Sequence, residues 1–186
     1  MAPTSLEVPP AGNPSVFVGD TKSLDEAVEM VAATETVIGI DIETTSLNPH
    51  TGRLRLVQVS DGDRTFVVDA FKVDPRPLLE AVSDKDWVAH NAAFELAWAK
   101  HLFDLEPTIV RDTMLMSQVL GAGSEHRHGL EDVLNRELGM VIDKEHQLSD
   151  WTIETLSREQ ISYAATDAAV LPALYRRLEE RLGEER

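Results

Sequence analysis

In the run TVIGIDIETT, residues 36–45, an isoleucine stands at every second position from Ile38 to Ile42. A period of two belongs to a β-strand, whose successive side chains point to opposite faces. Ile38, Ile40 and Ile42 therefore share one face and read as core, while Gly39, Asp41 and Glu43 share the other. Two carboxylates on one strand face stand about 7 Å apart and repel each other. At a strand end such a pair can simply be a solvated edge. The alternative is that it converges on a divalent cation, because Mg²⁺ and Mn²⁺ take oxygen ligands.

The remaining pattern frames this strand. Residues 1–14 carry four of the nine prolines and read as a flexible tail, leaving residues 15–186 as one domain. SVFVGD reads as a strand, and Ser23 as the N-cap of a helix over LDEAVEMVAA with Asp25 and Glu26 in its acidic first turn. RLRLVQVS and RTFVVDA are strands joined through DGD, so three strands close together predict an antiparallel meander. Helices and strands then alternate: PRPLLEAVSD a helix, DWVAH a strand, AAFELAWAKHLF a helix, TIV extended, DTMLMSQVLGAG and HGLEDVLNRELG helices with glycine stops. SREQISYAATDAAVLPALYRRLEERLG reads as one long helix that Pro172 kinks by removing the bond to the Ala168 carbonyl. The expected class is α/β, a mixed sheet of antiparallel meander plus parallel strands, flanked by helices.

Two further polar pairs stand out. In HNAAFELAWAK, Asn91 and Glu95 lie four apart, which on one helix would place them on one face. In ISYAATDAAV, Tyr163 and Asp167 repeat that spacing among Ala, Ile and Val, where an acid needs a partner or a metal. Each pair alone is equally readable as a hydrogen-bonded or solvated feature. Together, Asp41, Glu43, Glu95 and Asp167 would put four acids from three elements at one end of a sheet. They could not all stay ionised there without cations. Two Mg²⁺ or Mn²⁺ ions would compensate them and build a site for phosphoryl displacement.

The order D-x-E, H-N-x-x-F-acid, Y-x-x-x-D resembles the DEDDy 3′–5′ exonucleases, the group of the DNA polymerase I proofreading domain and RNase D. The resemblance runs from about Thr36 to Leu182 and extends to LVQVSDG, VRDTMLMSQVL, RHGLEDVLNRELG and DKEHQLSDW. It implies an RNase H-like fold and two-metal hydrolysis from the 3′ end of a single strand, releasing nucleoside monophosphates. It also implies roles: Asp41 bridging both ions, Glu43 and Asp167 on the nucleophile-side ion, Glu95 toward the other, Tyr163 holding the attacking water. Thr44, Leu47, Asn91 and Phe94 match positions at the bound strand, with core packing the alternative for Phe94. The departure is Glu95, where most of the family carries Asp.

Composition limits the rest. With no cysteine, disulfides, thiolate zinc and a thiol nucleophile are excluded. No apolar run is long enough to span a membrane, so a cytoplasmic protein without a membrane partner is expected, with a monomer as the expected state. The net charge of −16 argues against a broad phosphate-binding surface. DNA is expected over RNA, because the HNAAFE block, Leu47 and the RHGLEDVLNRELG–DKEHQLSDW stretch resemble polymerase I-type domains more closely and the chain ends soon after the exonuclease core. A separate polymerase would then be the partner, in replication, repair or proofreading. The alternatives are an RNase D-like exoribonuclease and a decayed nucleic-acid-binding module. His90 and His128 read as structural hydrogen-bonders, Asp112 as a helix cap, and Trp87, Trp98 and Trp151 as core. Arg53, Arg55, Arg111 and Arg127 are the cations best placed in sequence to meet phosphates.

Overall fold

The computed structural model describes residues 14–34, 37–142 and 149–184; the expected tail, apart from Pro14, and the DKEHQL part of DKEHQLSDW lie outside these residues. The chain runs β1 (Ser15–Val18), α1 (Thr21–Ala32), β2 (Ile38–Thr44), β3 (Leu54–Ser60), β4 (Thr65–Asp69), α2 (Arg76–Ala81) and β5 (Asp86–Ala89). It continues with α3 (Ala93–Phe103), β6 (Ile109–Asp112), α4 (Thr113–Leu120), α5 (Leu130–Leu138), α6 (Arg158–Ala169) and α7 (Leu171–Glu184). The strands form one sheet in the order β1-β4-β3-β2-β5-β6. β2, β3 and β4 are the antiparallel meander that the sequence predicts, and β5 and β6 continue from β2 in parallel. β1 joins the far edge parallel to β4.

The isoleucine face of β2 is core. Ile38, Ile40 and Ile42 pack with Leu24 and Val31 of α1, Leu78 of α2 and Trp98 of α3. The other face of the meander is covered by α6, through Leu56, Val67, Ala164 and Ala165. Trp87, Trp98 and Trp151 are all buried.

Three local expectations change. Helix α1 starts earlier, because Asp20 is its N-cap; Ser23 instead closes a reciprocal capping box, its N–H donating to Asp20 Oδ1 at 2.9 Å. Asp25 and Glu26 thereby fall outside the first turn. Asn91 precedes α3 and takes φ 73°, so it does not share a helix face with Glu95. The asparagine side chain tolerates this left-handed backbone better than most. The long final helix is two helices, α6 and α7, separated at Val170.

That break positions α6. Pro172 has no N–H to give the Ala168 carbonyl, whose oxygen turns toward β2. A Cβ at Gly39 would lie 2.4 Å from that oxygen and 3.0 Å from Pro172 Cδ, so only glycine permits this approach. A second restraint holds the segment that leads into α6. Buried Arg55 pairs with buried Asp69 and donates from Nη2 to the Glu154 carbonyl at 3.2 Å. Gly39→Ala is expected to cost about 1–3 kcal/mol in urea denaturation as α6 is pushed off the sheet. An unchanged midpoint would show that the helix yields freely there.

Candidate active site

Asp41 and Glu43 lie on the face of β2 turned toward α6, and Asp167 comes down from α6 to meet them. One carboxylate oxygen from each lies within 4.8 Å of the others, close enough for a shared cation. One turn before Asp167, Tyr163 donates its hydroxyl hydrogen to the Asp167 carboxylate. The i,i+4 spacing on α6 therefore does what it predicts: both side chains leave the helix on one face.

Glu95, in the first turn of α3, is only 5% exposed and approaches from the opposite wall. It is not part of the three-carboxylate group, yet its charge acts on both Asp41 and Glu43. Its stem lines an apolar hollow with Ile40, Ile42, Trp87 and Trp98, and its Oε2 has no hydrogen-bond partner among the described residues. Oδ1 of Asp167 is buried and unpartnered in the same sense. Buried carboxylate oxygens without donors are costly, and a cation is one way to satisfy them. The donor set fits: it is all oxygen, negatively charged and convergent.

The electrostatics agree. Burial raises all four acids, and for Asp41 and Glu43 the neighbouring carboxylates raise them further. Asp41 stands well above the usual carboxylate range, Glu43 and Glu95 reach about 8, and Asp167 about 6. Burial and then the Asp167 charge push the Tyr163 phenol upward, so it stays neutral.

The surrounding loops hold the mouth of the site. Leu47 is 84% exposed on the β2–β3 connection, and Thr44 Oγ1 donates to the Ser46 carbonyl at 2.9 Å. Phe94 is half-buried, with its ring edge-on to Trp98 at 6.4 Å, and so belongs to the core wall. Asn91 is exposed, and its backbone is clamped from behind. Asp112 accepts the N–H groups of Asn91 and Ala92 as well as those of Met114 and Leu115, so it ties the HNA turn to the start of α4. A reading as a helix cap captures only half of that work.

His90 and His128 are structural. His90 bonds Thr113 Oγ1 and the His128 carbonyl, and His128 Nδ1 meets Ser117 Oγ at 2.8 Å. Of the four arginines, Arg55 is fully buried in its ion pair, and Arg111 is engaged with Asp86. Arg53 and Arg127 are exposed, and Arg53 lies 4.0 Å over the Phe71 ring beside the β2–β3 loop. The sequence reading passes over Gln58, which is fully buried in the register position opposite Asp41. Its signal is there: it is the amide that interrupts the apolar run of LVQVS.

A family model described as 3′–5′ exonuclease matches residues 16–183. The chain belongs to this exonuclease family. It is 35% identical over 146 residues to DNA polymerase I of Aquifex aeolicus, covering 78% of this chain and 24% of that one. It is 33% identical over 180 residues to ribonuclease D of Gluconacetobacter diazotrophicus, covering 94% of this chain and 45% of that one. The chain thus spans less than half the length of these curated relatives. Among solved structures it superposes on Brucella melitensis NrnC with a TM-score of 0.79 at 31% identity, covering 94% of this chain and 84% of that one. NrnC structures include one bound to pGG and one with bound Mg²⁺. The fold is RNase H-like, as the resemblance implies.

The raised acids predict a pH effect of definite sign. Between about 4.5 and 8 the folded, metal-free protein holds protons on Glu43 and Glu95 that the unfolded chain has released. Stability in EDTA should therefore fall as pH rises through that window. Mn²⁺ should restore it, most strongly at the alkaline end. Melting scans at stepped pH decide; a level profile in EDTA would mean the acids are already satisfied by the protein.

Proposed function

We propose that this chain is a metal-dependent 3′–5′ exonuclease that shortens single-stranded nucleic acid one nucleotide at a time. The carrying observation is the convergence of Asp41, Glu43 and Asp167 within 4.8 Å, with Tyr163 bonded to Asp167. Water attacks the terminal phosphorus, the bond to the 3′ oxygen of the preceding nucleotide breaks, and a nucleoside 5′-monophosphate leaves. Asp41, Glu43 and Asp167, with Glu95 from the opposite wall, would hold two divalent cations, Mg²⁺ or Mn²⁺. Such ions lower the pKa of water and offset charge on the attacking and leaving oxygens. Tyr163, being neutral, orients water by hydrogen bonding and does not act as a base. Exposed Leu47 would wedge against the terminal bases, with Thr44 and Asn91 beside the strand. Phe94 supports that wall from the core side.

DNA is the proposed strand, supported by the HNAAFE block, Leu47 and the likeness to a DNA polymerase I. A separate polymerase would supply frayed 3′ ends. RNA is the second reading, favoured by the likeness to ribonuclease D and to NrnC, one structure of which holds pGG. Single-stranded DNA, duplex DNA and RNA, labelled at either end, are incubated with Mg²⁺ or Mn²⁺. A ladder receding from the 3′ end of single-stranded DNA is expected. A ladder on RNA alone moves the reading to the second substrate, and no cleavage of any strand defeats both. Asp41→Asn should abolish turnover, by at least about 10³-fold, with the fold retained; normal turnover in that variant would overturn the site.

Glu95 distinguishes this site from an aspartate-bearing one. Its side chain lines the apolar hollow, so Glu95 would reach a second cation with a carboxylate one methylene farther from the backbone than that of aspartate. Glu95→Asp should shift the ratio of Mg²⁺- to Mn²⁺-supported rates several-fold. Identical ratios in the two proteins would show that the methylene has no part in metal choice.

A further inference from the structure

Gln58 lies in β3 in antiparallel register with Asp41 of β2. Directly opposed residues in such a pair share a sheet face, with Cβ atoms about 4.5–5.5 Å apart. The face is the one under α6. On one side of Gln58, Leu56 packs against Ala164 and Ala165, and on the other, Ser60 is in register with Gly39, which touches the Ala168 carbonyl. Gln58 is therefore enclosed between the sheet and the small residues of α6, and its exposure is 0%. Neither Oε1 nor Nε2 has a hydrogen-bond partner among the described residues.

An amide buried without partners is destabilising, and an apolar side chain of equal length would pack there at lower cost. The sequence nevertheless places a polar residue in a run whose neighbours are Leu56, Val57 and Val59. Such a residue is explained by what it faces. The functional groups in reach along that face belong to the carboxylate cluster, and Asp41 is its nearest strand neighbour.

We propose that Gln58 is a positioning residue for Asp41. Its Nε2–H₂ group donates to the Asp41 carboxylate when that group is ionised and ligating a cation. This fixes the carboxylate's rotamer and leaves its remaining oxygen lone pairs for the metal. The reading rests on the proposed metal site. Gln58 contacts neither substrate nor cation and acts only through Asp41.

The test separates this role from simple packing. Gln58→Met keeps the length of the side chain and removes the amide. The metal-free melting temperature should stay level or rise. Mn²⁺ affinity, read by calorimetry without substrate, should weaken about 10-fold, and kcat should fall with KM unchanged. A packing role gives the reverse: lower stability with unaltered Mn²⁺ affinity. That result, or a Gln58→Met protein that fails to fold, overturns the proposal. Gln58→Glu is the second variant, because it puts a further carboxylate beside Asp41. Its melting temperature should gain more from Mn²⁺ than that of the parent protein, and an equal gain would also overturn the proposal. If the parent protein itself binds no Mn²⁺, it is the metal site that fails, and the two outcomes are distinct.

Discussion

Three carboxylates held within 4.8 Å of one another, with a fourth acting on them from α3, form an arrangement that electrostatics opposes. It persists only because the elements that carry them are fixed by other forces. β2 is held by an isoleucine face sunk in the main core and by neighbours on both edges. α6 is pressed onto that strand through Gly39, and its approach is set by the Arg55–Asp69 pair and by Trp151. A cluster of like charges thus requires a stiff frame, and that frame is largely apolar, with the Arg55–Asp69 ion pair fully buried within it. Buried ion pairs contribute little net stability compared with apolar packing, so its value here is geometric. It gives the irregular segment before α6 a single place to sit.

The proline in the last helical run shows how a local defect becomes a structural device. A helix interior tolerates proline badly because one carbonyl loses its donor. The chain uses that carbonyl, at Ala168, as a point of close contact with Gly39. That contact sits one residue past Asp167, so the acid lies beside the point where the helix meets the sheet. Tyr163, a turn earlier, is fixed by the same docking.

Much of this was readable beforehand, for a physical reason. Periodicity in VIGIDIETT and the fixed i,i+4 geometry of ISYAATD each determine which side chains share a face, so Asp41 and Glu43, and Tyr163 and Asp167, could be grouped without coordinates. HNAAFE could not be read that way, because its first residues are not helical. Asn91 is in the left-handed region, and the donor groups there are taken by Asp112 from 21 residues later. Backbone exceptions and side-chain-to-backbone clamps across long separations leave no period in the sequence. Nor does register: Gln58 is an isolated amide until β3 is laid against β2, after which it faces Asp41. The start of α1 differs for a smaller reason, since Asp20 and Ser23 are both good caps and the first of them wins.

The acidic composition has to be reconciled with a polyanionic substrate. A chain with 33 acidic and 17 basic residues cannot gather nucleic acid over a broad face. Its attraction must therefore be local and short in range, since screening removes charge effects beyond about 8–10 Å at ordinary ionic strength. Within that radius stands the carboxylate cluster, whose effect on a phosphate would turn attractive where cations occupy it. On the proposed reading, metal loading and strand binding would be one coupled event: the acids that repel a phosphate would become, through their cations, the groups that hold it. Arg53, braced on Phe71 beside the Leu47 loop, adds one cation at the mouth without changing that logic. The surplus of surface carboxylates has a consistent effect too. It would disfavour long stretches of nucleic-acid backbone lying across the protein, in keeping with the proposed hold on the strand's end.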